Sequence, residues 1–485
     1  MIESEKNIIL WDSNRPANKE KLVWLMHGYD ETINHRSILK FIEKHSDTIR
    51  KDYLEWISKL NEIDIRGKKL KEHLEFEPDF SIWWMTLLSE KSIYKSQALF
   101  DCIRVLAVEK MVKINKPDSI RIYSNNKIII NTIKNYCENN KIIFSYSFII
   151  KELAFNKIIN LRTILPFFIK APISLIKHIV KRWALREVRV KEWNSGSNAI
   201  FIFSYFIHLD KKSLLSNNFY SKQWETLPKL LINKNKKINW IHHFLTSELA
   251  PNSKKGNEWL KIFNHDSDNQ GIHSFLDSFL SVKIILLTFG RWIKLCFKML
   301  FFQKFLKKSI KRNNKGWLWP IFNKEWKASI FGSVAIENFL WIGLLDKAMK
   351  SIPKQELGLY LCENQAWEKA FIFFWKKNGH GELIGVPHST IRYWDLRYFN
   401  KNELGENLLC EPKPDKIALN GPAAMNEYIK AEQPIDNIVE VEALRFLHLK
   451  DKVRKIKTSK NNTEKLNLLL IGDYVSSLTH LNLEM

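Results

Sequence analysis

Three short clusters in the last third of the chain hold residue types suited to chemistry on phosphorylated and hydroxylated substrates. In the first, Glu363-Asn364-Gln365-Ala366-Trp367-Glu368, a carboxylate directly follows the apolar run Leu357–Cys362. A partly buried carboxylate can take a proton from a substrate hydroxyl, because burial lifts its pKa toward neutrality. The same Glu363, or Asn364, would equally cap a following helix by accepting its free N–H groups. The second cluster, Gly385-Val386-Pro387-His388-Ser389-Thr390, also leads from an apolar run into small polar residues. His388, beside Ser389 and Thr390, offers a proton carrier or a donor to a phosphate leaving group; the alternative is a histidine that only packs. In the third, Arg392-Tyr393-Trp394-Asp395-Leu396-Arg397-Tyr398-Phe399, two forked guanidinium donors suit a diphosphate and the rings suit a sugar or base face. Against that stands an Arg–Asp pair that only fixes the loop, and Asp395 can hold one arginine while leaving the other free.

Two weaker signals share this strand-to-turn placement. Asn420-Gly421-Pro422-Ala423 reads as a turn into a helix whose N-terminus could meet an anion, although an early proline is also common for geometric reasons alone. His27-Gly28-Tyr29-Asp30 follows the apolar run Leu22–Met26 and could contact an acceptor. There is no phosphate loop of the GxxxxGK[ST] type, no HExxH pair, no GxSxG elbow and no kinase signature set. The ATPase, metalloprotease, serine-hydrolase and kinase readings therefore lack support. The cysteines Cys102, Cys137, Cys296, Cys362 and Cys410 show neither CxxC nor Cys/His metal spacing, so the sequence predicts no metal site and no cofactor.

The elements that must position these residues alternate. In the last third, strands over Leu357–Cys362, Glu382–Val386, Lys416–Leu419 and Ile438–Val441 enclose helices over Gln365–Lys377 and Pro422–Lys430, the pattern of a doubly wound parallel sheet. Such sheets place ligands at the carboxyl ends of their strands, where the three clusters fall. Earlier, Asn7–Trp11 and Leu22–Met26 read as strands, Ile33–Leu60 as a helix, and Ile120–Tyr123, Lys127–Cys137 and Ile142–Tyr146 as a βαβ unit. Phe80–Lys113 reads as a helical block and Lys151–Trp193 as a long basic helical region interrupted near Pro166 and Pro172. Strands are expected at Ala199–Phe206 and Ile238–Phe244 with a helix at Trp224–Leu231, a surface loop at Asn252–Asn269, and an amphipathic helix over Ser281–Asn314. The charged run Lys450–Asn462 reads as a linker, and Leu466–Ile471 as the first strand of a further α/β domain cut off at Met485.

The formal net charge of +24 favours polyanions such as acidic lipid surfaces or phosphorylated substrates. A nucleic-acid reading rests on that charge alone, so no specific nucleic acid is expected as a partner. The odd, scattered cysteines and the lack of a signal-peptide pattern at the start predict a cytoplasmic setting. The apolar stretches Leu161–Val180 and Val282–Phe302 are broken by Lys and Arg and should not cross a bilayer. The basic face of the Ser281–Asn314 helix suits the surface of an anionic membrane; the plainer alternative is a packed helix with a solvated basic side.

The runs FSIWWMTLLSEKSIYKSQALFD, YLCENQAWEKAF, IGVPHSTIRYWDLRYF and IALNGPAA…VEALRF resemble the bacterial surface carbohydrate biosynthesis proteins of O-antigen-type (lipopolysaccharide) gene clusters, over most of Phe76–Phe446. More distantly, Ile384–Thr390 and the later Asn-Gly-Pro turn are similar to glycosyltransferases of the GT-B fold. His388 resembles the loop histidine of the teichoic acid type, although Ser389 stands where that type carries Gly. The resemblance implies an α/β, GT-B-like doubly wound parallel sheet with large helical insertions, at about 150–195 and 252–350 of a first domain spanning 1–449. A linker at 450–463 and a truncated second Rossmann-like domain at 464–485 would follow. It implies transfer of a sugar from a nucleotide sugar to a lipid-linked or oligosaccharide acceptor at the inner face of the cytoplasmic membrane, with no metal required. Glu363 or His388 would activate the acceptor, Arg392 and Arg397 would meet phosphate, and Asn364, Gln365, Ser389, Thr390, Asp395, Asn420 and Gly421 would line the substrate site. A competing expectation is a non-catalytic, peripheral membrane-surface assembly factor using the same fold.

Overall fold

Continuous apolar runs in this chain become parallel strands, because a strand covered on both faces has no solvent side to keep polar. The computed structural model describes residues 6–14, 17, 22–29, 31–149, 165–196, 198–207, 209–215, 219–265, 271–388, 391–399, 409–430, 434–444 and 446. Residues 1–445 form one compact unit, to which everything below refers. The expected linker at 450–463 and the expected strand at Leu466–Ile471 lie outside the described residues.

In the first part of the chain, strands β1 (Asn7–Asp12), β2 (Val23–Leu25) and β3 (His35–Ser37) precede helices α1 (Ile38–Lys44), α2 (Ser46–Asn61) and α3 (Ala98–Asn115). Strand β4 (Ser119–Ser124), helix α4 (Lys127–Asn139) and strand β5 (Ile143–Ser147) complete a parallel sheet of order β3-β2-β1-β4-β5. The βαβ unit read from the sequence is therefore present. Ile33–Leu60 is not one helix: it opens on the edge strand β3 and breaks at His45, between α1 and α2. Ser37 both ends the strand and caps α1, its Oγ accepting from the Lys40 N–H at 3.1 Å, and three residues are too few to show a strand's alternation. The block Phe80–Lys113 is likewise divided, by a short strand, a 3-10 turn and a single-turn helix ahead of α3.

Helix α5 (Phe167–Arg182) leads to β6 (Ala199–Phe206), α6 (Leu227–Asn233), β7 (Lys237–Phe244), α7 (Ser253–His265) and β8 (Ile272–Phe275). Three long helices follow, α8 (Val282–Arg312), α9 (Trp319–Phe331) and α10 (Ser333–Ser351). The alternation then closes with β9 (Leu357–Leu361), α11 (Ala366–Lys377), β10 (Glu382–Val386), β11 (Lys416–Asn420), α12 (Gly421–Lys430) and β12 (Ile438–Val441). These seven strands make a second parallel sheet, of order β8-β7-β6-β9-β10-β11-β12.

Four expectations are corrected here. Residues 1–449 were expected as one domain on a doubly wound parallel sheet, and the described residues hold two separate parallel sheets besides two small antiparallel pairs. The segment 252–350 is not purely a helical insertion, since β8 within it forms an edge of the second sheet. Asn252–Asn269 holds a helix, α7, as far as it is described: its polar composition conceals Gly256, Leu260 and Phe263 at helical spacing, all buried. Helix α5 continues through Pro172 instead of stopping there, while residues 151–164 of that region lie outside the described residues.

Both sheets share one apolar cluster, which runs from Ile8 and Leu10 in β1 through Trp56 and Phe322 to Phe201 in β6 and Phe371 in α11. In β6 every residue but Tyr205 is buried, and in β7 every residue but Lys237. Among the described residues no single helix is long and apolar enough to cross a membrane.

Candidate functional site

The strand β9 delivers Glu363 to the carboxyl edge of the second sheet, and the turn after it decides where that side chain goes. Asn364 takes a left-handed conformation, with φ of 51°, and the chain enters α11 at Gln365. Glu368, in the first turn of that helix and fully buried, accepts from the Glu363 N–H at 3.0 Å and the Asn364 N–H at 2.9 Å. Burial pushes its carboxyl up to about 8, against the pull of the Glu363 and Gln365 N–H groups. Neither Glu363 nor Asn364 caps α11, whose N-cap is Gln365 without a side-chain cap bond; Glu368 instead braces the turn ahead of the helix. Asn364 accepts from Lys369 Nζ at 3.2 Å, which makes it part of the turn. Glu368 was not expected in the site. The signal for it was present, a carboxylate three residues beyond the N-cap position, the spacing of a capping box.

The Glu363 side chain turns to its neighbours. Its Oε1 lies 3.2 Å from His388 Nε2, its Oε2 accepts from Gln365 Nε2 at 2.6 Å, and Arg397 Nη1 stands 3.7 Å from Oε2. His388 leaves the end of β10 one residue beyond Pro387, whose carbonyl accepts from Asn420 Nδ2 at 2.8 Å; the end of β11 therefore steadies the histidine loop. Arg397 is clamped on Asp395 through two bonds, Nε to Oδ1 at 2.8 Å and Nη2 to Oδ2 at 2.7 Å, and both residues are buried. Although burial opposes its charge, the bonds to Asp395 raise the Arg397 pKa further.

The structure thus brings Glu363, Gln365, His388 and Arg397 together, with Asp395 and Asn420 behind them. Arg392 is not brought in: its side chain is exposed, and among the described residues it contributes only a backbone carbonyl, to the Asp395 N–H at 2.9 Å. Gly421 opens α12 with φ of 80°, a conformation natural to glycine. Ser389 and Thr390 lie outside the described residues.

A crevice of about 240 Å³ opens beside this group, between the ends of β6, β7 and β9. In the second sheet the chain runs outward in opposite directions from β6 and β9, and at such a switch point the diverging connections leave a cleft. Gln365 joins the crevice to the carboxylate, since its Nε2 also reaches Tyr205 Oη at 3.2 Å. Trp341, Trp367 and His243 supply aromatic walls, and Lys95, Arg182, Glu337 and Asn338 supply polar ones. His243 stacks on Tyr205 with centroids 5.6 Å apart and meets Trp367 edge-on at 4.3 Å. Burial drives its pKa down to about 3, so the ring is neutral, and its Nε2 has no hydrogen-bond partner among the described residues. Arg182 and His178 bind Asp277 at 2.8 and 2.7 Å; burial favours the neutral acid, yet these two partners outweigh it and hold the carboxyl down to about 2.

The first sheet has its own switch point, between β1 and β4, and His27 lies there. Its Nε2 is 2.7 Å from Asp12 Oδ1 and its Nδ1 accepts from Arg104 Nη1 at 2.7 Å, while Ser124 Oγ donates to Asp12 Oδ2 at 2.6 Å. Arg104 is paired with Asp101. Both ring nitrogens are thereby engaged, so the cluster is closed, and Asp12 and Arg104 were not foreseen in it. Among the described residues no group of three or more His, Cys, Asp or Glu is placed to hold a metal ion. Comparison of the chain with protein-family models, curated proteins and solved structures finds no match.

Proposed function

We propose that the protein is a GT-B-like glycosyltransferase of surface-polysaccharide assembly that moves a sugar from a nucleotide sugar to a hydroxyl of a growing glycan. The observation that carries this reading is the His388–Glu363 contact of 3.2 Å at the carboxyl edge of a parallel sheet, beside an aromatic and polar crevice at the switch point. Two parallel sheets, in which the strand order 3-2-1-4-5 recurs, support the nucleotide-binding architecture.

With Nε2 facing Glu363, Nδ1 is the atom assigned to take the acceptor proton; it is buried in this structure, so the acceptor hydroxyl must displace the loop at His388 to reach it. The acceptor oxygen then bonds to the anomeric carbon, and the bond from that carbon to the diphosphate oxygen breaks. The nucleoside diphosphate leaves with the electron pair. Glu363 fixes the histidine tautomer and stabilises the imidazolium as it forms, as a carboxylate does in a nucleophile–base–carboxylate triad. Arg397, neutralised by Asp395, positions Glu363 and does not reach out to phosphate. Arg392 is exposed and apart from the Glu363–His388 group, so neither arginine considered for phosphate is placed to meet it there.

The test is release of nucleoside diphosphate by the full chain across a panel of nucleotide sugars, with and without oligosaccharide acceptors. His388→Ala and Glu363→Gln are expected to lower turnover by about 10²-fold or more, the usual worth of a positioned general base. A folded wild-type protein that neither binds nor consumes any donor, or variants that match it, would overturn the reading.

A further inference from the structure

Helix α8 carries two apolar seams where a helix packed on a globular core has one. The inner seam, through Ile284, Thr288, Trp292, Leu295 and Met299, is buried in the core. On the other side Val282, Leu286, Phe289, Phe297 and Leu300 are exposed and fall by helical spacing on one outward stripe, interrupted where Ile293 packs on the core. Leu286 is 67% exposed, Phe297 71% and the adjoining Phe301 69%. Scattered exposed apolar residues need no explanation, but exposed apolar residues aligned along five turns of one helix do.

The charge of the helix selects the partner. Its 31 residues include nine Lys and Arg and no Asp or Glu. Lys283 and Lys294 flank the stripe, and Lys304, Lys308 and Lys311 extend it toward the C-terminal end. There Lys308 and Arg312 line, with Arg66 and a single carboxylate, Asp64, a depression of about 490 Å³. A second copy of the helix would bring cation against cation with no acidic residue to pair, which disfavours self-association through this face. An anionic bilayer offers what the face lacks, acyl chains for the stripe and phosphates for the flanking cations.

We infer that the outward face of α8 docks on an anionic phospholipid surface, with the helix lying in the plane of the headgroups. This assignment is independent of sugar transfer and holds for a scaffold as well as for an enzyme. Its location has a consequence, because α8 begins shortly after Asp277, which holds Arg182 at the wall of the crevice. Docking through its N-terminal turns would bring the carboxyl edge of the second sheet close to the bilayer.

The experiment is flotation of the full chain with phosphatidylcholine vesicles made with and without phosphatidylglycerol. Binding is expected only with the anionic lipid and should weaken as salt rises. Leu286→Glu with Phe297→Glu should lower partitioning about tenfold or more, and Lys294→Glu with Lys304→Glu about fivefold or more, each with an unchanged melting temperature because the sites are exposed. Failure of the wild type to float with anionic vesicles, or seam and charge variants that bind as it does, overturns the inference. So does a wild-type dimer that becomes monomeric on Phe297→Glu while showing no vesicle binding, which reassigns the face to a second copy.

Discussion

Glu368 holds the turn that aims Glu363, and it does so at an energetic cost set by pH. A carboxyl whose folded pKa is raised from 4.5 to about 8 contributes stability that is fully present below the lower value and is lost as pH rises through the upper one. The loss is on the order of a few kcal/mol across that window, since a tenfold change in proton affinity is worth about 1.4 kcal/mol. The melting temperature of the wild type should therefore fall from about pH 5 to pH 8, and Glu368→Gln should flatten the slope, whatever constant offset its altered hydrogen bonds introduce. Equal slopes for the two proteins would show that Glu368 does not carry the effect. Lys91 works in the next window: burial lowers its pKa from 10.5 to about 8, so its contribution recovers as pH rises from the lower value to the higher. The two windows adjoin near pH 8, and the Glu368 variant isolates the acid side.

Strand β9 and helix α11 must approach closely for the turn between them to form as it does. Gly358 makes this possible: a Cβ there would stand 2.7 Å from the Trp375 ring and 2.8 Å from Leu383 Cδ1. Trp375 is fully buried and its Nε1 donates to the Gly381 carbonyl at 2.7 Å, so it has no room to withdraw. Gly358→Val is expected to cost about 1–3 kcal/mol or more, the usual range for overpacking, read as a lower midpoint in denaturant unfolding. A variant as stable as the wild type would mean that α11 is free to shift. The sequence periodicity placed both elements correctly, but the contact between them was invisible in it, since a glycine in a strand marks close approach without naming the neighbour.

Across the whole molecule, the two sheets are joined at the site by Arg50 of α2. Its guanidinium lies 4.0 Å from the Phe399 centroid and 4.6 Å from that of Tyr393, and Tyr393 Oη donates to Asp47 at 2.6 Å. The loop that carries Asp395 and Arg397 is thus tied to a helix of the first sheet. Arg50→Ala should lose roughly 2 kcal/mol for a desolvated cation–π contact and speed hydrogen exchange of the backbone amides in 391–399. Exchange left unchanged in that loop would remove Arg50 from the description of the site.

Local pattern alone determined the α/β class, most of the strands and the strand ends that bear Glu363, His388 and Asn420, because strands buried on both faces leave continuous apolar runs bounded by turn residues. It also yielded α8 almost to the residue. Tertiary structure decided what spacing cannot express. Ordering the strands into two sheets depends on hydrogen bonds between segments far apart in the chain. The assignment of Glu368 to the turn and Glu363 to His388 depends on the left-handed conformation at Asn364. Arg397 was held back by its two bonds to the buried Asp395 carboxylate, while Arg392 was left exposed. The helix α7 and the edge strand β8 were missed for the same reason: their buried residues are few and mixed with polar ones, so only packing against β7 reveals which side faces inward.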